Sequence, residues 1–335
     1  MSYNDRIQQE IAHYKEVENV HDLPPIFHYW SHNFLRPKVE SLGFTGPDDH
    51  YIKYIELIAT QHPELQCDIL SVGSGNADTE VALAESLLQR RIKNFSFTCL
   101  DINFHMLERA RQRVSEHRLS PQFDFIETDI NDWSINRKYQ IIVANQSLHH
   151  FLELETLFEK IYASLDDKGF FLTNDIIGRN GHMRWPEALR IVNALWSLLE
   201  DRHKWNHQLN RFESTYDNWD CSASGFEGIR AQDILPLLLK QFNFHCFLGF
   251  ANLITPFVDR GFGHNFDIEN PRDCYFIDFV GGLDDYFIEA GEIKPTQMIA
   301  SMTKFNVAPP KVYKHLTPEF CVRAPDVIRE NPSGR

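Results

Sequence analysis

Apolar and polar positions alternate along the middle of the chain in two rhythms. Short, mostly apolar runs stand at Ile69 to Val72, Phe95 to Leu100, Phe123 to Ile126, Ile141 to Ala144, Phe170 to Thr173 and Phe244 to Phe250, the fourth of them fully apolar. Between them the apolar residues recur every three or four positions. Val81, Ala82, Leu83, Leu87 and Leu88 mark one helix, and a second runs from about Phe104 to His117. Leu154, Leu157, Phe158, Ile161 and Leu165 mark another, stopped by Asp167-Lys168-Gly169, and a further helix spans about Gln232 to Gln241. Runs apolar on both faces and separated by helices predict a parallel sheet covered on both sides. The expected fold is a doubly wound α/β sandwich, with ligands at the carboxyl ends of its strands.

The first strand runs into Gly73-Ser74-Gly75-Asn76-Ala77-Asp78, a glycine turn opening a helix. Such a turn brings bare backbone N–H groups up to a ligand. A nicotinamide dinucleotide needs a third glycine where the helix starts, and that position is Asp78, whose carboxylate would repel a pyrophosphate. Polar residues follow each later strand. Asp101 stands where a ribose would present two hydroxyls, Asp129 where an adenine amine would donate, and Asn145-Gln146-Ser147-Leu148-His149-His150 forms a polar loop beside the reacting centre. Asn103 is the expected cap of the helix that begins near Phe104.

In these pieces the chain resembles the class I S-adenosylmethionine-dependent methyltransferases. The resemblance runs through Ile69 to Gly75, Leu100 to Leu107, Thr128-Asp129-Ile130 and Ser147 to Phe151, and covers roughly residues 51 to 251. It implies a mostly parallel, seven-stranded Rossmann-like sheet, closed by an antiparallel strand at Met298 to Met302. It implies S-adenosyl-L-methionine as the cofactor. Gly73, Ser74 and Gly75 would approach its methionine part. Asp101 would take the ribose, with Ile102 against the adenine. Asp129, with Ile130 beside it, would hold the adenine amine. Asn145 and Gln146 would line the space around the sulfonium methyl. Two positions depart from the family's pattern: Ser71 replaces an acid two residues before the first glycine, and Ala77 replaces a third glycine. Asp78, or an acid from the N-terminal segment, is expected to supply the missing carboxylate.

Methyl transfer from an activated sulfonium rests on in-line alignment in a dry site. Where the acceptor is a hydroxyl or an activated carbon a base helps, and His149, then His150, is the expected one. Three additions flank the core: an N-terminal helical lid segment over residues 1–50, and caps over about 178–226 and 259–293. The core itself spans 51–305, and a tail from 306 to 335 is expected along the surface. Trp185, Trp196, Trp205, Tyr216 and Trp219 in the first cap suit a partly apolar or aromatic acceptor. A small metabolite is therefore the expected substrate. Methylation of RNA or protein, or cofactor binding without transfer, are the alternatives.

Composition narrows these choices. The formal charge of −14 disfavours binding through nucleic-acid phosphates. No apolar run reaches membrane-spanning length, and the N-terminus lacks a signal-peptide pattern. Six scattered cysteines read as reduced thiols of a cytoplasmic protein. His28 with His32 and His203 with His207 stand four apart, a spacing that can place two imidazoles on one helix face. Neither pair has a third ligand nearby in sequence, so no metal is expected, and oligomeric state is not legible.

Overall fold

The computed structural model describes residues 3–16, 23–223, 225–306 and 308–324. Two helices and a π-helical turn open it: α1 (Tyr3–Glu16), α2 (Pro25–Trp30) and the turn Ser31–Leu35 leading into α3 (Arg36–Ser41). Then α4 (Pro47–Gln61) precedes the alternating core. That core comprises β1 (Cys67–Val72), α5 (Asp78–Gln89), β2 (Phe95–Asp101), α6 (Phe104–Glu116), β3 (Phe123–Glu127), β4 (Tyr139–Asn145), α7 (Leu154–Ser164) and β5 (Leu165–Ile176).

After β5 the chain leaves the sheet through α8 (Pro186–Trp196) and a two-residue ribbon, β6 (Trp205–Asn206) with β7 (Arg211–Phe212). It returns with α9 (Ala231–Gln241) and β8 (Asn243–Phe250). A second excursion carries α10 (Thr255–Val258) and α11 (Pro271–Ala290). The chain then closes with β9 (Gln297–Thr303), β10 (Lys311–Val312) and α12 (Pro318–Cys321).

The main sheet has the order β10-β8-β9-β5-β4-β1-β2-β3. All neighbours are parallel except β9, which runs antiparallel to β5 and β8. The order reverses between β1 and β4, which pair through Leu70 and Ile142, and the carboxyl ends at such a reversal are where a doubly wound sheet holds its ligand. The sheet has eight strands rather than the expected seven. The eighth comes from the tail, where Lys311 and Val312 pair with Cys246 and Phe247 of β8, so part of that tail is structural. Asp167-Lys168-Gly169 does not end an element before the fifth strand. It lies inside β5 at a register shift opposite Tyr139 and Ile141, and Gly169 is required because a Cβ there would lie 2.6 Å from the Gln140 carbonyl oxygen.

Alternate residues of each central strand feed two cores. Ile69, Phe97, Cys99, Ile141, Val143 and Leu172 pack with α4, α5 and α6. Leu70, Val72, Leu100, Ile142, Ala144 and Phe171 pack with α7, α8 and α9. The strands read as mostly apolar runs for this reason. Of the N-terminal segment only α1 crosses the strand ends. Ile26, Trp30, Leu35, Val39 and Leu42 are buried in the second core. The cap aromatics divide similarly. Trp196 is buried against Tyr216, Phe257 and Phe262 and donates to the Glu213 carbonyl at 3.0 Å, whereas Trp205 and Trp219 face solvent. Among the described residues no helix is long and apolar enough to cross a membrane.

Candidate active site

The glycine turn closes tightly on its neighbours. Gly73 has φ +68°, and a Cβ there would lie 2.7 Å from the Ser147 Cβ; Gly75 has φ +53° and sits against Met106. The Gly75 N–H donates to Asp101 Oδ2 at 2.8 Å, while Asp101 Oδ1 accepts from the Asn103 N–H at 2.8 Å. Asp101 is thus locked under the turn, and burial raises its pKa despite those two bonds. Asn103 caps α6 as expected, accepting from the His105 and Met106 N–H groups. Ser74 lies between the glycines, and Ile102 is half-buried beside Asp101.

The carboxylate missing from position 71 is recovered from the following helix. Ser71 Oγ donates to Glu80 Oε1 at 2.6 Å, and Glu80 Oε2 is buried without a hydrogen-bond partner. Burial raises the Glu80 carboxyl to about 6, against the bond from Ser71. Asp78, the acid expected in this place, is instead ion-paired with Arg113.

Asp129 accepts from the Tyr3 hydroxyl at 2.7 Å and from the Asn131 N–H at 2.8 Å. The oxygen expected to meet an adenine amine therefore holds α1. Ile130 is buried in the core next to Trp133. Asn145, at the end of β4, accepts from the Tyr51 hydroxyl at 3.0 Å and donates to Thr79 at 3.0 Å. Gln146 is exposed in a left-handed conformation, φ +51°, with its N–H on the Asn174 carbonyl.

Beyond Asn145 the chain makes a short 3-10 turn, Leu148–His150, organised by Asp175 of β5. Asp175 is fully buried. Its Oδ2 accepts from the Ser147 and Leu148 N–H groups, and its Oδ1 lies 2.7 Å from His149 Nδ1. The other nitrogen, His149 Nε2, faces Glu227 Oε1 at 3.5 Å. His182 Nε2 lies 2.6 Å from that same oxygen, and His150 Nε2 lies 3.4 Å from Glu227 Oε2. Glu10 of α1 reaches His150 Nδ1 at 2.8 Å. Burial alone lowers the His149 pKa, but Asp175 and Glu227 outweigh it and raise it to about 10. Burial would raise Glu227, yet the surrounding imidazoles hold it well below the usual carboxylate range. The two carboxylates that flank His149 thus favour its charged form.

Strand-end positions predicted from sequence thus gather at one site: Gly73, Gly75, Asp101, Asn145, His149 and His150. Asp175, His182, Glu227 and Glu80 were missed. Asp175 carried a usable signal, since it stands two residues past a predicted strand, much as Asp101 directly follows another. His182 and Glu227 lie in irregular turns with no periodicity. His28, in the last turn of α2, and His32, on the π-helical turn that continues it, share one face of a helical run. His203 stacks on Phe266 and bonds Asp273, while His207 bonds Asn265.

A doubly wound sheet, a glycine turn ending its first strand and a carboxylate ending its second are the features that the resemblance to class I, Rossmann-like S-adenosylmethionine-dependent methyltransferases called for. Residues 69–169 match the methyltransferase domain family. The chain is 29% identical over 118 residues to a malonyl-[acyl-carrier protein] O-methyltransferase of Priestia megaterium, covering 35% of this chain and 40% of that protein. It is 26% identical over 161 residues to a highly reducing polyketide synthase of Gibberella fujikuroi, covering 48% of this chain and 6% of the synthase. The O-methyltransferase from a trans-AT polyketide synthase multienzyme of Brevibacillus brevis, solved with S-adenosyl-L-homocysteine, aligns at 16% identity over 77% of this chain and 76% of that one, with a TM-score of 0.41. The chain thus spans less than half the length of either curated relative.

Proposed function

We propose that this chain transfers the methyl group of S-adenosylmethionine to an oxygen or an activated carbon of a small acyl-type metabolite. The observation that carries this reading is the wall formed by His149, His150, His182 and Glu227, which meets the cofactor's strand ends directly after β4. Relatives named for polyketide assembly and for malonyl-[acyl-carrier protein] support an acceptor rich in carbonyl and carboxyl oxygens.

In this reading Gly73, Ser74 and Gly75 approach the methionine part, Glu80 faces its ammonium, and Asp101 takes the ribose hydroxyls. Asp129 shares its oxygens between the adenine amine and Tyr3, with Ile102 and Ile130 at the adenine edge. Asn145 and Gln146 border the methyl group. The C–S bond breaks as the acceptor, already a carboxylate or an enolate, bonds to the methyl carbon; the electron pair stays on sulfur, and S-adenosylhomocysteine departs. The histidine wall orients the acceptor, and α1 acts as a lid that keeps water out. The net charge disfavours a nucleic-acid substrate, and six unpaired cysteines suit the cytoplasm.

The test uses the purified chain, S-adenosylmethionine and a panel of malonyl and β-ketoacyl thioesters, with S-adenosylhomocysteine release as the readout. His149→Ala is expected to lower turnover by about 100-fold or more, with S-adenosylhomocysteine affinity changed less than about threefold. Unaltered turnover removes His149 from the acceptor site, and failure to bind S-adenosylhomocysteine at all overturns the reading.

A further inference from the structure

We infer that His149, His182 and Glu227 form a binding site for one divalent transition-metal ion. Their ligand atoms all lie within 4.8 Å of one another, on three separate segments that the fold brings together. Around an ion with bonds of about 2.0–2.2 Å, ligand atoms stand roughly 3.3–3.6 Å apart. His149 Nε2 and Glu227 Oε1 are already at 3.5 Å, whereas His182 Nε2 and Glu227 Oε1, now hydrogen-bonded at 2.6 Å, would have to part by about 1 Å to admit the ion.

The surroundings are those of a ligand set. His149 donates its far nitrogen, Nδ1, to Asp175 at 2.7 Å, leaving Nε2 as the coordinating atom. Asp175 is itself fixed by the Ser147 and Leu148 N–H groups, so the imidazole cannot swing away. A carboxylate behind a histidine in this way sets its tautomer and orientation for a metal. His182 is held by a turn of its own. The Gly181 N–H donates to the Gly228 carbonyl at 2.8 Å, and a Cβ at Gly228 would lie 2.9 Å from the His182 ring. The remaining nitrogen, His182 Nδ1, is buried without a hydrogen-bond partner.

Three imidazoles converge on one carboxylate here: His149 and His182 on Oε1, and His150 on Oε2. One cation at the centre gives both histidine nitrogens and the carboxylate a common partner. Two imidazoles and one carboxylate suit Zn²⁺, Fe²⁺, Co²⁺ or Mn²⁺ rather than Ca²⁺ or Mg²⁺, and leave coordination positions open. If the methyl-transfer reading holds, an acceptor oxygen occupies an open position, and the ion fixes it opposite the methyl group.

Co²⁺, whose bound form is visible in its d–d absorption, is titrated into the untagged, metal-stripped full chain. S-adenosylhomocysteine affinity is measured in parallel by calorimetry. About one equivalent of Co²⁺ is expected to bind with a d–d band, to be displaced by Zn²⁺, and to be lost in His182→Gln and Glu227→Gln. His182→Cys, which restores a donor, is expected to regain the ion with a shifted band. Asp175→Asn is expected to weaken binding by about 10–100-fold. No band in the wild-type chain, or an unchanged band in both loss variants, overturns the site. In that case, retained S-adenosylhomocysteine binding leaves the methyl-transfer reading standing on its own.

Discussion

Ser71 occupies a position where the resemblance calls for a carboxylate, and its hydroxyl reaches Glu80 nine residues later. The acid has moved from strand to helix while staying beside the glycine turn. Such a transfer is hard to read from sequence, because Glu80 looks like any charged residue in the first turn of a helix. Its pKa is raised by burial from 4.5 to about 6, so its neutral form favours the fold. That stability is fully present below about 4.5 and is lost as pH rises through about 6. A bound ammonium reverses the preference, because it favours the ionised carboxylate. S-adenosylhomocysteine affinity is therefore expected to strengthen by up to about tenfold per pH unit between pH 5 and 6, then to level off. Glu80→Gln is expected to flatten that rise in a calorimetric titration, and parallel pH profiles for the two proteins contradict the assignment. Gly73 gives a second test at this scale. Gly73→Ala forces a Cβ into Ser147 at a positive φ and should lower both melting temperature and cofactor affinity. Adding Ser147→Gly removes the obstructing atom, so part of the lost affinity is expected to return. A double variant no better than the single one would place the damage in the backbone alone.

At the scale of elements, the helix that matters most for the strand-end site is α1, whose amphipathic pattern lies in Ile7, Ile11 and Tyr14. Its destination was not legible there. Tyr3 reaches Asp129, Glu10 reaches His150, and Arg109 donates to the Tyr14 carbonyl at 2.8 Å. Arg6 ties the helix to the Ser222 and Gly225 carbonyls of the cap. These anchors are single side-chain bonds to loops, which leave no periodic trace. The central strands were legible because burial on both faces writes them as apolar runs. By contrast, β10 is two residues long, and Lys311-Val312 carries no strand signal at all. The anchoring of α1 predicts its kinetics. Arg6→Ala removes a charged donor from two carbonyls, worth about 1.5 kcal/mol. S-adenosylhomocysteine is then expected to dissociate about tenfold faster in stopped-flow measurements, with an unchanged association rate. An unchanged dissociation rate would mean that α1 does not cover the bound cofactor.

Across the whole molecule, the excursions after β5 and β8 do more than cover a site, because they carry much of the second core. The second excursion is tied to its own strand end by Asp284 of α11, whose two oxygens accept from the Asn252 and Leu253 N–H groups just beyond β8, at 3.0 and 2.8 Å. In sequence this is one acid in the amphipathic stretch Gly281-Gly282-Leu283-Asp284-Asp285, and nothing marks it as internal. Folding buries it completely, and burial raises its pKa to about 7, with the two backbone donors opposing. Because the folded value lies above the ordinary 3.8, the contribution of Asp284 to stability is whole at acid pH and is lost as pH rises through about 7. Asp284→Asn keeps an acceptor oxygen for the loop and cannot ionise. Its melting temperature relative to wild type is therefore expected to climb between pH 5 and pH 8.5. Asp284→Ala leaves two buried N–H donors without an acceptor and should cost about 2–4 kcal/mol at acid pH, a cost that shrinks as wild type loses stability above pH 7. Thermal denaturation of the three proteins across that range separates the two effects. A gap between Asp284→Asn and wild type that stays constant with pH would show that Asp284 keeps one charge state throughout, so its burial would not be what ties the stability of this region to pH.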